Sequence, residues 1–268
     1  MVFEDTADCP SPEQAERNRY KLTIAYDGTD FHGWQKQKTT GPDSAQPLRT
    51  VAGVMEEKLA HVLRHPVAVV GASRTDAGVH ARSQVAHVDA DPPIPLDRVV
   101  MAVNSRLPDD IELLNFEVVA RDFDAIKDAK NKQYRYRIFN TVRRPLDKRN
   151  VVWHCWTPLD VQRMQDAALR LVGTHDFEAF AAAGHGRTTT ERTIFDCRVE
   201  QDQPEVHVVV QGDGFLYNMV RIIAGTLVEV GRGRFGPEVI DGLLELKDRS
   251  KAGPTLPAQG LCLEWIKY

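Results

Sequence analysis

The chain has 268 residues, of which 42% are hydrophobic and 27% charged, and its formal net charge is −4. This length suits one large domain or two smaller ones with a substantial core, and no apolar run approaches the roughly 20 residues that a membrane-spanning helix needs. The cysteines (Cys9, Cys155, Cys197 and Cys262) are scattered, without a Cys-x-x-Cys pair or a matching His spacing, so free thiols in a reducing, cytoplasmic setting are expected and a metal site is not.

Residues 1–17 hold five acids against the single Arg17 and read as a disordered acidic tail, with neither the basic start nor the apolar stretch of a secretory signal. Alternation predicts a strand over 21–26, ending at Asp27-Gly28. A long polar loop is expected over 35–49, then a helix over 51–63 with Val51, Met55 and Leu59 on one face. Strands are expected at 67–70, 84–88 and 112–119, with a helix over 96–104 between the last two. In the second half, 133–139 alternates strongly as a strand. Helices are expected over 159–172, 215–230 and 238–246, and strands at 206–210 and 261–266. Strands and helices mixed in similar proportions in both halves predict an α+β protein of two related lobes, with a boundary near 120. The assigned segments are the tail 1–17, an N-terminal lobe 18–120 and a C-terminal lobe 121–268.

Within this frame, GASRTDAGVHA (71–81) places one carboxylate, Asp76, among small residues at a strand end, with Arg74 two positions earlier and His80 four later. Asp-x-Gly is ordinary turn chemistry. A strand-end loop is also where reactive groups are mounted, and an Arg beside an Asp can hold it ionised and aimed. Tyr134 and Tyr136, two apart on one strand, share a face opposite Arg135 and Arg137. They fit either a core with anchored hydroxyls or a platform for a nucleobase. Arg221 lies in a helix that is apolar on nearly every side, with its nearest helical acid, Glu229, eight residues away. Such a cation either snorkels to solvent or takes a carboxylate from elsewhere in the chain, for which Asp76 is the candidate. Between 127 and 149, nine basic residues face two acids, a local charge of +7 that suits either a phosphate-tracking surface or a solvated face.

Seven blocks in order carry a resemblance over 21–268: AYDGTDFHGWQKQ, GASRTDAGVHA, NSRLPDDI, KQYRYRIFN, VGTHDFEAF, GFLYNMVRIIAGTLVEVG and PAQGLCLEWIKY. Together they resemble the bacterial tRNA pseudouridine synthase A (TruA) family. The resemblance implies a pseudouridine-synthase fold with a long mixed sheet, helices on one side and a cleft between two lobes. It implies Asp76 as the catalytic aspartate, Tyr134 stacking on the target uracil, Arg221 pairing with the carboxylate, and Arg74 helping to flip and hold the nucleotide. It further implies a cytoplasmic homodimer acting on uridines 38 to 40 of the tRNA anticodon stem-loop, with no cofactor or metal. Other tRNA positions, another RNA, or a non-catalytic RNA-binding module are the alternative readings. One cationic partner would be expected to lower the Asp76 pKa. Two positions depart from the family pattern: Ser73 stands where GAGRTD has Gly, and Ile126 replaces the usual Arg.

Overall fold

The computed structural model describes residues 17–37, 48–182 and 189–268. The acidic tail short of Arg17, and positions 38–47 of the expected polar loop, lie outside the described residues. The first strand, β1 (Asn18–Tyr26), alternates as its sequence requires: Tyr20, Leu22, Ile24 and Tyr26 are buried and the residues between them are partly open. Helix α1 (Val51–Leu63) starts where the Thr50 hydroxyl accepts from the Gly53 N–H at 3.3 Å, a side-chain cap on one of the orphan donors of the first turn. Short β2 (Val70–Gly71) and long β3 (His80–Ala90) follow, then α2 (Leu96–Asn104) and β4 (Ile111–Val118).

The second half contains β5 (Asn131–Phe139), short β6 (Trp153–His154), α3 (Val161–Leu169), β7 (Gly173–Asp176), β8 (Glu191–Asp202), β9 (Glu205–Gly212), α4 (Met219–Gly231), α5 (Val239–Leu246) and β10 (Leu261–Lys267). The 67–70 strand is thus mostly an extended approach to β2, and α3 starts only at the side-chain cap of Asp160 on the Arg163 N–H. β7 and β8 have no counterpart among the strands expected from sequence. In β8, a bulge between Ile194 and Asp196 places the buried residues Ile194 and Cys197 three apart, so strict alternation fails.

Among the described residues, the strands form one ten-stranded sheet whose main order is β4-β1-β3-β10-β5-β9-β8-β7, with β2 on β3 and β6 on β5. The C-terminal strand therefore sits in the middle. β10 pairs parallel to β3, through Cys262 with His80 and Leu263 with Ala81, and antiparallel to β5, where Leu263 faces Tyr134. One sheet face is apolar, and the buried stripes of α1, α3 and α4 join it in a single core. Each large core side chain there, Leu22 or Ile138 for example, contributes about 1.5–3 kcal/mol by leaving water. The opposite face of the central strands is laced by ion pairs, among them Arg135–Glu200 at 2.7 Å and Lys148–Glu205 at 2.6 Å. The seam at β10 sets the loop that precedes β3 against β5 and the N-terminal end of α4.

Candidate active site

The loop between β2 and β3 is clasped by the segment that follows β1. Trp34 N–H donates to the Thr75 carbonyl at 3.0 Å, Gly78 N–H donates to the Phe31 carbonyl at 3.3 Å, and the Tyr26 and Thr75 hydroxyls share a hydrogen bond of 2.8 Å. Gly33 makes the clasp possible: its φ is +89°, and a Cβ there would lie 2.7 Å from the Thr75 carbonyl oxygen. His80 pins the far end of the loop, with Nδ1 3.0 Å from Gly28 N and Nε2 3.0 Å from the Asn150 carbonyl oxygen. The motif DGTDFHGWQ thus serves as a bracket for the loop that carries Asp76.

Asp76 meets Arg221 across the seam: Nη1 donates to Oδ2 at 3.3 Å, with side-chain exposures of 27% and 17%. Of the two sequence alternatives for Arg221, the ion pair is the one present. Arg221 is itself held on two further sides, by Nε to the Leu256 carbonyl at 2.7 Å and Nη1 to Asn218 Oδ1 at 2.6 Å. The Leu256 contact depends on Gly225, because a Cβ there would fall 1.9 Å from the Pro254 carbonyl oxygen and push the 252–256 segment off the helix. The helix expected over 215–230 begins only at Met219, because Asn218 adopts a left-handed conformation (φ 60°). The late start puts Arg221 in the first turn, at the open end of the helix rather than in its buried middle.

The electrostatic expectation for Asp76 is corrected. Its pKa is raised: burial of the carboxyl is the larger effect, and the charge and hydrogen bond of Arg221 oppose it without overcoming it. A single contact at 3.3 Å is too weak to offset the desolvation.

Tyr134 is 5% exposed, packs edge-to-face on Phe215 with ring centroids 5.2 Å apart, and shares a hydrogen bond of 2.9 Å with the Ser73 hydroxyl. Burial first, with the negative charge of Asp76 adding to it, pushes its phenol up to about 12. Tyr136 is core: fully buried, with its hydroxyl donating to the Pro257 carbonyl at 2.7 Å. Arg74 is exposed and forms no hydrogen bond or ion pair with a described residue, so the cation that holds Asp76 is Arg221 and not its neighbour in sequence. Arg74 is left free to meet a ligand.

The basic stretch divides. Lys132 is buried and donates to the Ala72 carbonyl at 2.8 Å, Arg135 bonds Glu200, and Lys148 bonds Glu205. Lys130, Arg143, Arg144 and Arg149 remain exposed. Arg149 and Asn150 line a cleft together with Phe31, His32, Ala77 and Gly78, directly beside Asp76 in sequence. Sequence reasoning missed Asn218, the Leu256 carbonyl and Lys132 as supports of the site. Asn218 alone left a signal, as a residue type that tolerates the left-handed region at a helix start. Among the described residues, no group of three or more His, Cys, Asp or Glu could hold a metal ion, and no helix is long and apolar enough to cross a membrane.

A family model described as tRNA pseudouridine synthase matches residues 22–127 and 167–268. The chain is 46% identical over 248 residues to tRNA pseudouridine synthase A of Moorella thermoacetica, covering 92% of this chain and 98% of that protein. It is 46% identical over 249 residues to the same-named protein of Pelobacter propionicus, with the same coverage. Against that of a Thermoanaerobacter strain the identity is 42% over 247 residues, again 92% and 98% of the two chains.

Proposed function

Because the chain belongs to the tRNA pseudouridine synthase A (TruA) family, and is thus an isomerase of tRNA uridine, we propose that Asp76 is its catalytic carboxylate. In the same reading Arg221 orients Asp76, Tyr134 contacts the target base and Arg74 holds the flipped nucleotide. Residues 18–120 form the lobe that carries the Asp76 loop, and 121–268 the lobe that carries Tyr134 and Arg221.

The reaction breaks the N1–C1′ bond of uridine, turns the uracil, joins C5 to C1′, releases the C5 proton and leaves N1 protonated. Electrons balance within the nucleotide and no group is imported, so the chemistry itself calls for no cofactor. It needs one carboxylate, acting at C1′ as nucleophile or at C2′ as base. Half-burial at the seam raises the basicity of Asp76, and Arg221 supports its ionised form. A stacked uridine has to leave its helix or loop to reach this site. Small residues at Ala77 and Gly78, which line the cleft, leave room for it. The exposed Arg143, Arg144 and Arg149 offer phosphate contacts on the approach. Family likeness supports uridines 38 to 40 of the anticodon stem-loop as targets and a homodimer as the working form, and a tRNA substrate supports a cytoplasmic place of action.

The observation that carries this reading is the Asp76–Arg221 pair at 3.3 Å, formed by residues 145 apart in sequence across the seam of the sheet. The test is tritium release from tRNA labelled at uridine C5. Wild type is expected to release tritium, and Asp76→Ala to bind the tRNA without release. Equal release from both proteins would remove Asp76 from the reaction, and binding without release by wild type would indicate a passive RNA-binding module. Mapping pseudouridine in the tRNAs of a deletion strain decides the positions.

A further inference from the structure

Ser73 lies three residues before Asp76 on the same loop, and its surroundings fix it closely. Its carbonyl accepts from Gln84 Nε2 at 2.7 Å, and the preceding carbonyl, of Ala72, accepts from Lys132 Nζ at 2.8 Å. Both donors are buried, Gln84 fully and Lys132 with 8% exposed. Two buried hydrogen bonds to adjacent carbonyls hold this stretch of backbone in place, so the Ser73 hydroxyl has little freedom beyond its own rotamer. Facing it at 2.9 Å is the Tyr134 hydroxyl, on a ring held by Phe215.

A buried phenol whose ring is fixed keeps only the rotation of its O–H. Its hydrogen bond is set by whichever partner is in reach. Among the described residues, the only side chain donating to the Asp76 carboxylate is Arg221. The Tyr134 hydroxyl is engaged by Ser73.

We propose that Ser73 is a positioning residue for the reaction: its hydroxyl fixes the orientation of the Tyr134 hydroxyl, on the loop that carries Asp76. One loop then carries both the reactive carboxylate and the hydroxyl that orients the Tyr134 phenol. The inference rests on the reading of Asp76 and Tyr134 given above.

It is tested by a double-mutant cycle of Ser73→Ala with Tyr134→Phe, read as single-turnover tritium release with enzyme in excess over labelled tRNA. Ser73→Ala alone should slow the bound-state rate by about threefold to tenfold while tRNA affinity stays within a factor of about two, a loss of the size one misplaced hydrogen bond produces. In the Tyr134→Phe background the same change should alter the rate by less than about a factor of two. Ser73→Thr, which keeps the hydroxyl, should restore most of the rate. Equal losses in both backgrounds, or no loss in the wild-type background, overturn the proposal. If Ser73→Ala folds poorly, Ser73→Gly enters the same cycle with the same criteria. Absence of release from wild type would instead refute the reading on which the inference rests. Melting midpoints of the four cycle proteins then still show whether the two hydroxyls are coupled.

Discussion

Two opposed effects set the carboxyl of Asp76. Burial raises its pKa and Arg221 lowers it, with burial the stronger. Activity that needs the ionised form should therefore fall, as pH drops, on a limb that lies above the ordinary aspartate value of about 3.9. Replacing Arg221 by Gln removes the lowering effect, so the limb should move further up. The reduction in kcat/KM should then be greater at about pH 6 than at about pH 8. A pH profile of tritium release for the two proteins checks this, and a limb that stays fixed or moves down contradicts it. Tyr134 makes a second residue-scale prediction. Tyr134→Phe keeps the ring and its packing on Phe215 but removes the hydroxyl. Binding of tRNA should stay within a few fold and turnover should fall by about tenfold or more if the hydroxyl takes part in the chemistry. Near-normal turnover would assign the residue to stacking alone.

A level up, the elements matter through where they stop. α4 begins at Met219 because Asn218 takes the left-handed region, and that start delivers Arg221 to Asp76. The bracket after β1 works the same way on the other side, since Gly33 lets the chain turn with its backbone against Thr75. Gly33→Ala places a Cβ 2.7 Å from a carbonyl oxygen at a φ of +89°. That combination should destabilise by about 1–3 kcal/mol. It should lower the melting midpoint by roughly 3–10 °C. The displaced loop should also reduce turnover more than tRNA affinity. Calorimetry and tritium release together test this, and a variant with unchanged melting and turnover would show that the bracket does not govern the loop.

For the molecule as a whole, the relevant charge is local. The net charge of −4 conceals a split in the basic segment. Lys132, Arg135 and Lys148 hold the fold together, and Arg143, Arg144 and Arg149 are exposed, Arg149 at the cleft. Binding of tRNA should therefore weaken steeply with salt. Replacing Arg143 and Arg144 by Ala should reduce the slope of log affinity against log salt by about 2, roughly one for each phosphate no longer neutralised. Replacing Arg135 should instead cost stability, because Glu200 would keep only Arg198 and Glu264 only Arg82 as ion-pair partners in a half-buried network. An unchanged slope in the double variant would place the RNA path elsewhere.

Local pattern was enough for much of this protein. Alternation in β1 and β5, the apolar stripe of α1 and the composition around Asp76 follow from the periodicities of strand and helix, which any sequence displays. The seven blocks carried the family, and the reading of tRNA uridine isomerisation agrees with the named relatives. Bulges, left-handed caps and chain order in a sheet leave weaker marks, because they are settled by contacts between residues far apart in sequence. The bulge hid β8, and Asn218 shifted the start of α4. Insertion of the last strand between β3 and β5 brought Asp76, Tyr134 and Arg221 to one seam. The sequence could name the carboxylate, but the sign of its pKa shift and the partner of the Tyr134 hydroxyl depend on burial and on distances of about one hydrogen bond, and those exist only once the chain has closed on itself.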